Sequence, residues 1–93
     1  MPITGDSIVS QVPDLVSTEL DGYTMLMNVE AGRYYSLDPV AGRIWQLLEQ
    51  PAPLRDVCAA LEQEFEVTPE RCEQDVLGLV ERLGEAELVR IER

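Results

Sequence analysis

The fold is decided by residues 23–39, whose sequence is YTMLMNVEAGRYYSLDP. Its first seven residues place alternate side chains on two faces, which is the period of a half-buried strand. Gly32 suits the positive φ of a short hairpin loop, and the aromatic segment after it is the returning strand. Asp38 and Pro39 then provide a helix N-cap and a favoured first helical residue. The stretch predicts a β-hairpin that runs directly into a helix.

Two further strands are predicted upstream of this hairpin. Residues 8–12 form a short strand that ends before Pro13, and residues 16–20 form a second one. The dipeptide Asp21-Gly22 is a favourable turn between the second strand and the hairpin. The N-terminal half of the chain is therefore predicted to consist of strands.

The C-terminal half changes to helical periodicity. A first helix begins at Pro39 and stops at the next prolines. Its predicted core stripe comprises Val40, Ile44, Leu47 and Leu48, with Ala41 and Trp45 on the flanks. A second helix covers residues 54–65, and a third follows the cap Thr68 over residues 69 to about 85. Residues 88–91 alternate again and form a closing strand or an extension.

A hairpin packed against three short helices indicates an α+β fold with a three-stranded antiparallel sheet, the make-up of a winged helix-turn-helix. The chain has 93 residues, enough for one core, and its sequence shows no repeat, linker or low-complexity tract. We therefore expect residues 1–93 to form a single domain.

The composition removes most catalytic chemistry. The sequence has no histidine and no lysine, so it lacks Ser–His and Cys–His nucleophile pairs and any Schiff-base lysine. It has no glycine pattern for binding phosphate or a dinucleotide, and its acids fall mostly on polar helix faces, where they are solvated. The sequence predicts a binding protein that is not an enzyme and that uses neither a cofactor nor a metal.

The cysteines and the chain start bear on location. Cys58 and Cys72 are widely spaced and fall on apolar helical faces, which favours buried, reduced thiols over a zinc site or a disulfide. The first residues lack the basic and apolar regions of a signal peptide, and no stretch approaches the ~18 apolar residues of a membrane span. We expect a cytoplasmic protein that does not bind membranes.

The net charge of −11 argues against nucleic acid as a partner. Eighteen acidic residues outweigh seven arginines, and such a surplus repels phosphate backbones. The third helix is the recognition helix of a DNA-binding winged helix, and here it is itself acidic. It carries Glu70, Glu73, Asp75, Glu81 and Glu85 against Arg71 and Arg82. Recognition of a protein or peptide is the expected activity.

Residues 33–37 are the element that points to a function. If this strand lies at the edge of a sheet, its unpaired N–H and C=O groups can template an extended peptide. Tyr34 and Tyr35 project to opposite faces, so one is expected in the core and the other at the surface; the alternative is that both are ordinary packing residues. On the third helix, Leu77 stands about 100° from Val76 and either lines a groove beside the sheet or is a lone exposed leucine.

The run from Gly32 to Leu48, GRYYSLDPVAGRIWQLL, resembles the PqqD-like family. Members of this family are the precursor-peptide recognition elements of ribosomally made, modified peptides. The later residues that fit are Val57, Leu61, Phe65-Glu66-Val67, Asp75-Val76, Leu79-Val80, Leu83 and Glu87-Leu88-Val89. The similarity spans residues 21–91, which is the expected core of the domain.

The resemblance implies a winged-helix domain that binds the leader segment of a precursor peptide. In the family, the leader adds as a strand to the third strand and lies against the third helix, which correspond here to residues 33–37 and 69–85. The contact residues that this implies are Tyr34, Tyr35, Ser36, Asp75, Val76, Leu77 and Leu79.

The compact, stand-alone form is most similar to the version in lasso-peptide pathways. There the resemblance implies delivery of the leader to a separate maturation enzyme, a leader-cleaving cysteine protease. The runner-up within the family is the pyrroloquinoline quinone chaperone, which presents its peptide to a radical enzyme. Two alternatives come from other classes: a DNA-binding winged-helix regulator, and a structural homodimer that pairs its own edge strands. A monomer or a weak homodimer is expected.

Overall fold

The computed structural model describes residues 3–13 and 15–92. In chain order the elements are β1 (Ile8–Gln11), β2 (Val16–Leu20), β3 (Tyr23–Asn28), β4 (Arg33–Leu37), α1 (Pro39–Leu47), β5 (Ala52–Pro53), α2 (Leu54–Glu64), α3 (Pro69–Glu85) and β6 (Val89–Glu92). The α+β class, the three helices and an antiparallel sheet of order β2-β3-β4 are confirmed.

A second antiparallel sheet, of order β5-β1-β6, was not predicted. The segment predicted as a closing strand or an extension is a strand, and it pairs with β1 from Ile8 opposite Glu92 to Gln11 opposite Val89. The two ends of the described chain are thus tied together. The predicted three-stranded sheet is present, and this second sheet is additional to it. The sequence did not indicate it because β1 pairs with segments that are distant along the chain, β5 in the middle and β6 near the end.

The turns of the β2-β3-β4 sheet follow the predicted chemistry. Asp21 and Gly22 both have positive φ, 54° and 84°, as a two-residue type I′ hairpin turn requires. Gly32 has φ 68° in the loop between β3 and β4. These turns set the register in which Met27 lies between Val16 and Tyr34.

The predicted N-caps of α1 and α3 are confirmed. Asp38 Oδ1 accepts a hydrogen bond from the backbone N–H of Ala41 at 2.8 Å. Thr68 Oγ1 accepts one from the backbone N–H of Arg71 at 3.2 Å. In both helices the residue after the cap is proline, whose missing N–H costs nothing at this position.

The rotation of α1 differs from the predicted stripe. Trp45, predicted on the flank, is only 5% exposed, whereas Val40, predicted in the core, is 42% exposed. A Cβ atom on Gly42 would lie 2.7 Å from Thr24 Oγ1, so α1 approaches β3 closely on its glycine side. This contact turns Trp45 inward and Val40 outward.

The two cysteines are free thiols on neighbouring helices. Cys72 is buried and Cys58 half-buried, and Cys72 Sγ donates to the carbonyl oxygen of Cys58 at 3.7 Å. Burial raises the pKa of the Cys58 thiol to about 12 and also raises the pKa of Cys72. Both thiols are therefore protonated, and weak nucleophiles, at neutral pH.

Two further properties hold for residues 3–13 and 15–92. None of their helices is long and apolar enough to span a bilayer. Nor do these residues bring together three or more cysteine, aspartate or glutamate side chains in a group able to hold a metal ion.

Candidate functional site

β4 is an outer strand of its sheet. It pairs with β3 along its whole length, from Arg33 opposite Asn28 to Leu37 opposite Thr24. In the described part of the chain, its other side pairs with no strand. Alternate residues of an antiparallel strand direct their N–H and C=O groups to each side, so this free side carries groups that a further strand can bind. Peptide addition requires residues 33–37 to lie at the edge of a sheet, and they do.

The side chains of β4 divide between two environments. Leu37 is buried in the core and Tyr35 is half-buried against it, in register with Leu26. Tyr34 is 72% exposed on the opposite face, and Ser36 is exposed beside it. The prediction that the two tyrosines face opposite ways, one to the core and one to solvent, is confirmed.

Two cavities lie near the ends of β4. At the start of β4, an open cavity of about 500 Å³ is lined by the hairpin loop, β4 and Ala86, which follows α3. Just beyond the end of β4, a small cavity of about 20 Å³ lies between Val40 and the middle of α3. The first cavity has no lining residue from α3 itself, and the second has none from β4. We refer to these two separate cavities together as the β4–α3 groove; the residues considered below are Arg33, Tyr34, Tyr35 and Ala86 of the first and Val40, Asp75 and Val76 of the second.

Asn28 joins the hairpin to the end of α3. Its Nδ2 donates to the carbonyl oxygen of Glu87 at 3.0 Å, and its Oδ1 accepts from the N–H of Ala31 at 3.0 Å. One side chain thus shapes the β3–β4 loop and holds that loop against the turn after α3. Asn28 was not predicted as a functional residue. Its position could have indicated it, because it is a polar residue on the same inward face of β3 as Thr24 and Leu26.

The end of α3 is closed by a Schellman motif. The N–H of Leu88 donates to the carbonyl of Leu83 at 2.9 Å, and the N–H of Glu87 donates to that of Gly84 at 3.1 Å. Glu87 takes the left-handed conformation, φ 62°, that glycine usually occupies in this motif. A side chain in this conformation costs roughly 1–2 kcal/mol. The motif positions the Glu87 carbonyl that Asn28 binds.

Four of the predicted contact residues line one or other of these two cavities. Tyr34 and Tyr35 line the open cavity at the start of β4, and Asp75 and Val76 line the small cavity against α3. Asp75 is exposed and forms an ion pair with Arg71, one turn earlier on α3, at 3.2 Å. Val76 is fully buried, so its contribution is the apolar floor of the small cavity.

The remaining three predicted residues line neither of these two cavities. Ser36 lies on β4 itself, on the same exposed face as Tyr34, and Leu79 is 3% exposed within the core. Leu77 lies on the other side of α3, where it lines a cavity of about 220 Å³ with Leu54 and Cys58 of α2. Two residues of helix turn Leu77 about 200° away from Asp75, which explains why the two cannot face the same groove.

Three groove residues were not predicted. Val40 was assigned to the core from helical periodicity alone. The rotation of α1 that exposes it depends on the close approach of Gly42 to β3, which periodicity does not reveal. Arg33 and Ala86 lie at the ends of their elements, where the sequence leaves the boundary uncertain by a residue or two.

The other outer strand of this sheet, β2, has a different setting. Beside it lies a cavity of about 380 Å³ whose lining is mostly polar: Gln11, Ser17, Thr18, Glu19, Thr24, Trp45, Gln46 and Glu49. Gln46 of α1 donates to Glu19 of β2 at 3.3 Å, which partly covers this edge. The small cavity beyond the end of β4 is lined mostly by apolar residues, including Val40 and Val76, so the surroundings of the two edges differ in polarity.

An ion pair holds α1, the helix that follows β4, to α2. Arg43 donates to both carboxylate oxygens of Glu64, at 2.7 and 3.0 Å. This hydrogen-bonded pairing lowers the pKa of Glu64 and raises that of Arg43. The bidentate geometry fixes the orientation of both side chains at the surface.

The comparisons with known proteins identify the family of this chain. Residues 23–89 match the sequence profile of PqqD, described as coenzyme PQQ synthesis protein D. The match covers most of the chain, which therefore belongs to the PqqD family. The resemblance seen in the run from Gly32 to Leu48 is confirmed.

Two solved structures are similar to this one. TbiB1 in complex with the TbiA(beta) leader peptide has 28% sequence identity and a TM-score of 0.79, over 87% of this chain and 94% of that one. A lasso peptide synthetase B1 complexed with the leader peptide has 27% identity and a TM-score of 0.76, over 88% and 96%. No protein with a curated description matches the sequence.

Proposed function

We propose that this chain binds the leader segment of a ribosomally synthesised precursor peptide and presents it to a maturation enzyme. The leader adds as a strand to the free edge of β4 and lies in the β4–α3 groove. The single observation that carries the proposal is a strand edge that pairs with no strand in the described part of the chain and has an open cavity at its start. The two similar structures support it, since each holds a leader peptide.

Strand addition supplies affinity through the backbone. β4 has five residues, and those that face outward offer an N–H and a C=O each. Each such hydrogen bond contributes a net ~0.5–1.5 kcal/mol, and ordering the peptide offsets part of the total. Backbone pairing alone is weak and unselective. The side chains in the groove must therefore decide which peptide binds.

The groove favours an alternating apolar leader. In a strand added to β4, every second side chain is on the face of Tyr35 and Leu37 and points toward the core side of the sheet. There it meets Val40 and Val76. The intervening side chains point to solvent beside Tyr34. We expect apolar leader residues two apart, and the chain's net charge of −11 favours basic residues around them.

The role of the chain is that of an adaptor. It binds and orients the leader, and the chemistry belongs to the enzyme that receives it. The similarity to a lasso peptide synthetase B1 favours a lasso-type leader-cleaving cysteine protease over the radical enzyme of quinone biosynthesis. A winged-helix arrangement, with the β2-β3-β4 sheet as the wing beside α3, fits the same role.

Backbone methylation of the leader tests the binding mode. The leader of the precursor encoded beside this gene is labelled with a fluorophore and titrated with the protein, first unmodified and then with one N-methyl group at each position in turn. Strand addition predicts saturable one-to-one binding that is lost on methylation at alternate residues and kept at those between. Absence of binding by folded protein at tens of micromolar, or a loss without this alternation, overturns the proposal.

A pair of matched variants locates the edge. Tyr34→Ser removes a 72% exposed side chain from β4, and Leu20→Ser removes a 68% exposed one from β2. Cross-strand pairs contribute roughly 0.2–1 kcal/mol, so Tyr34→Ser is expected to weaken leader binding about twofold to fivefold. Leu20→Ser is expected to leave it unchanged. The reverse result would assign the leader to β2.

A further inference from the structure

The outer face of the β2-β3-β4 sheet is apolar and exposed. Strand register places Val16, Met27 and Tyr34 in one row across it, and Thr18, Met25 and Ser36 in the next. Leu20 and Tyr23 pair at its end. We call these eight residues the outer sheet face. Five of them, Val16, Leu20, Tyr23, Met27 and Tyr34, are large apolar residues that are exposed, and none of the eight is charged.

This face is large for a surface that only meets water. An aromatic side chain buries about 150–250 Å² when covered, and an aliphatic one somewhat less, so the exposed fractions amount to roughly 500 Å². A typical monomer's largest apolar patch is about 300–600 Å², and patches of that size are often functional. The outer sheet face is thus at the upper end of what an isolated domain exposes.

We propose that the outer sheet face, extended by a bound leader strand, is the surface on which the maturation enzyme docks. This inference rests on the proposed function, because the added strand lies beside Tyr34 and continues the same sheet. Every second leader side chain then joins the outer face. The enzyme would contact the adaptor and its cargo at once.

Charge selects this partner over a second copy of the chain. Each copy carries a net charge of −11, and two like-charged copies repel one another. The turns at the two ends of the face add Asp21 and Glu30 to its rim. The complementary partner is therefore a folded protein with an apolar patch surrounded by basic residues.

The size of the face makes leader binding a condition for tight docking. A stable interface buries about 800 Å² on each partner, more than the ~500 Å² that the free chain offers here. A leader strand along β4 adds contact area to the same face. The enzyme should bind the loaded adaptor more tightly than the empty one, and by reciprocity should tighten leader binding by the same factor.

A double variant on β2 changes the outer sheet face without changing the free edge of β4. Val16→Thr with Leu20→Thr removes apolar contact at exposed positions two strands away from the free edge of β4, and threonine keeps a high strand propensity. Ile8→Thr is the matched control, because Ile8 is 39% exposed on a strand of the other sheet. The probe is the leader-cleaving protease encoded beside this gene, with its nucleophilic cysteine replaced by alanine. Its affinity is measured by calorimetry with and without leader.

The expected results distinguish this inference from the proposed function. The leader should raise the affinity of the wild-type protein for the protease about tenfold, and the double variant should lose at least that factor while binding leader normally. Ile8→Thr should behave like wild type. If wild type fails to bind leader, the proposed function fails. If leader binds but the affinity for the protease is the same with and without leader, and the same for wild type and the double variant, the docking surface is refuted.

Light scattering across protein concentrations tests whether a second copy of the chain binds the outer sheet face instead. We expect a monomer at all concentrations at which the protease binds. A dimer that the Val16→Thr, Leu20→Thr variant dissolves would assign the outer sheet face to a second copy and overturn the inference.

Discussion

Replacing Gly42 by alanine is expected to destabilise the protein, although alanine is the better helix former. The new Cβ would lie 2.7 Å from Thr24 Oγ1, a distance that real Cβ atoms do not adopt. Thr24 is buried and β-branched, so its side chain has little freedom to move away. Overpacking costs roughly 1–3 kcal/mol, and the gain in helix propensity returns about 1 kcal/mol. The expected net loss is about 1 kcal/mol.

The cause is tested by removing the atom that clashes. In a Thr24→Ala background the nearest remaining contact is the Cβ of residue 24 at 3.6 Å, an ordinary van der Waals separation. Gly42→Ala should then stabilise by up to about 1 kcal/mol, which gives a coupling energy of roughly 2 kcal/mol between the two sites.

Urea unfolding of the four proteins measures this cycle, and Trp45 is a suitable fluorescent reporter because it is the only tryptophan and is buried on α1. For a domain of this size, 1 kcal/mol corresponds to about 4–8 °C in Tm. Equal stabilisation by Gly42→Ala in both backgrounds would show that α1 does not approach β3 as closely as described. The position of β4 would then have to be explained differently.

Three further outcomes follow from the same structure. Glu87→Gly should raise stability by about 1 kcal/mol, since glycine adopts the left-handed conformation freely, whereas Glu87→Ala should not; thermal melts compare them. Asn28→Ala should lower stability by roughly 1–2 kcal/mol and weaken leader binding, because two hydrogen bonds at the groove end are lost; full-strength leader binding would remove Asn28 from the site. Cys58 should react slowly with iodoacetamide in the folded state and fast in urea. Because burial, then the hydrogen bond with Cys72, raises its pKa from 9.0 to about 12, the unfolded thiol loses its proton first, and stability should fall between those pH values in a denaturation series; a flat series contradicts the assignment.

Local chemistry explains which parts of the fold were predictable. The hairpin loop at Gly32 and the caps at Asp38 and Thr68 depend on residues within a few positions of each other, and all three are confirmed. The second sheet depends on pairing Ile8 with Glu92 across the whole chain. Alternation in the sequence identifies such strands but does not identify their partners.

The candidate site divides in the same way. The opposite orientations of Tyr34 and Tyr35 follow from strand alternation, whereas the outer position of β4 is given only by the sheet order in the structure. Asn28 and Ala86 come together with the groove only because α3 ends where the hairpin loop lies. Leu77 shows the opposite case, since its apolar character suggested a groove but the rotation of α3 turns it toward α2.

The DNA-binding alternative meets a physical obstacle in α3. Its exposed positions include Glu70, Glu73, Glu81 and Glu85, and the arginine at position 71 is engaged by Asp75. A phosphate backbone placed along this helix would meet mostly carboxylates, and each uncompensated one opposes binding. A peptide backbone carries no such charge, so the proposed leader strand would not meet this obstacle.

Self-association and leader binding can be told apart by the surface each needs. A homodimer that paired two β4 strands would occupy the same N–H and C=O groups as the leader, so leader would dissociate it. A homodimer through the outer sheet face would leave β4 free, and leader would bind without dissociating the dimer. With a net charge of −11 on each copy, both dimers should also weaken as the salt concentration falls, because screening of their mutual repulsion is lost. An adaptor that stays monomeric at low salt and still binds leader is therefore the form in which both surfaces are open to their proposed partners.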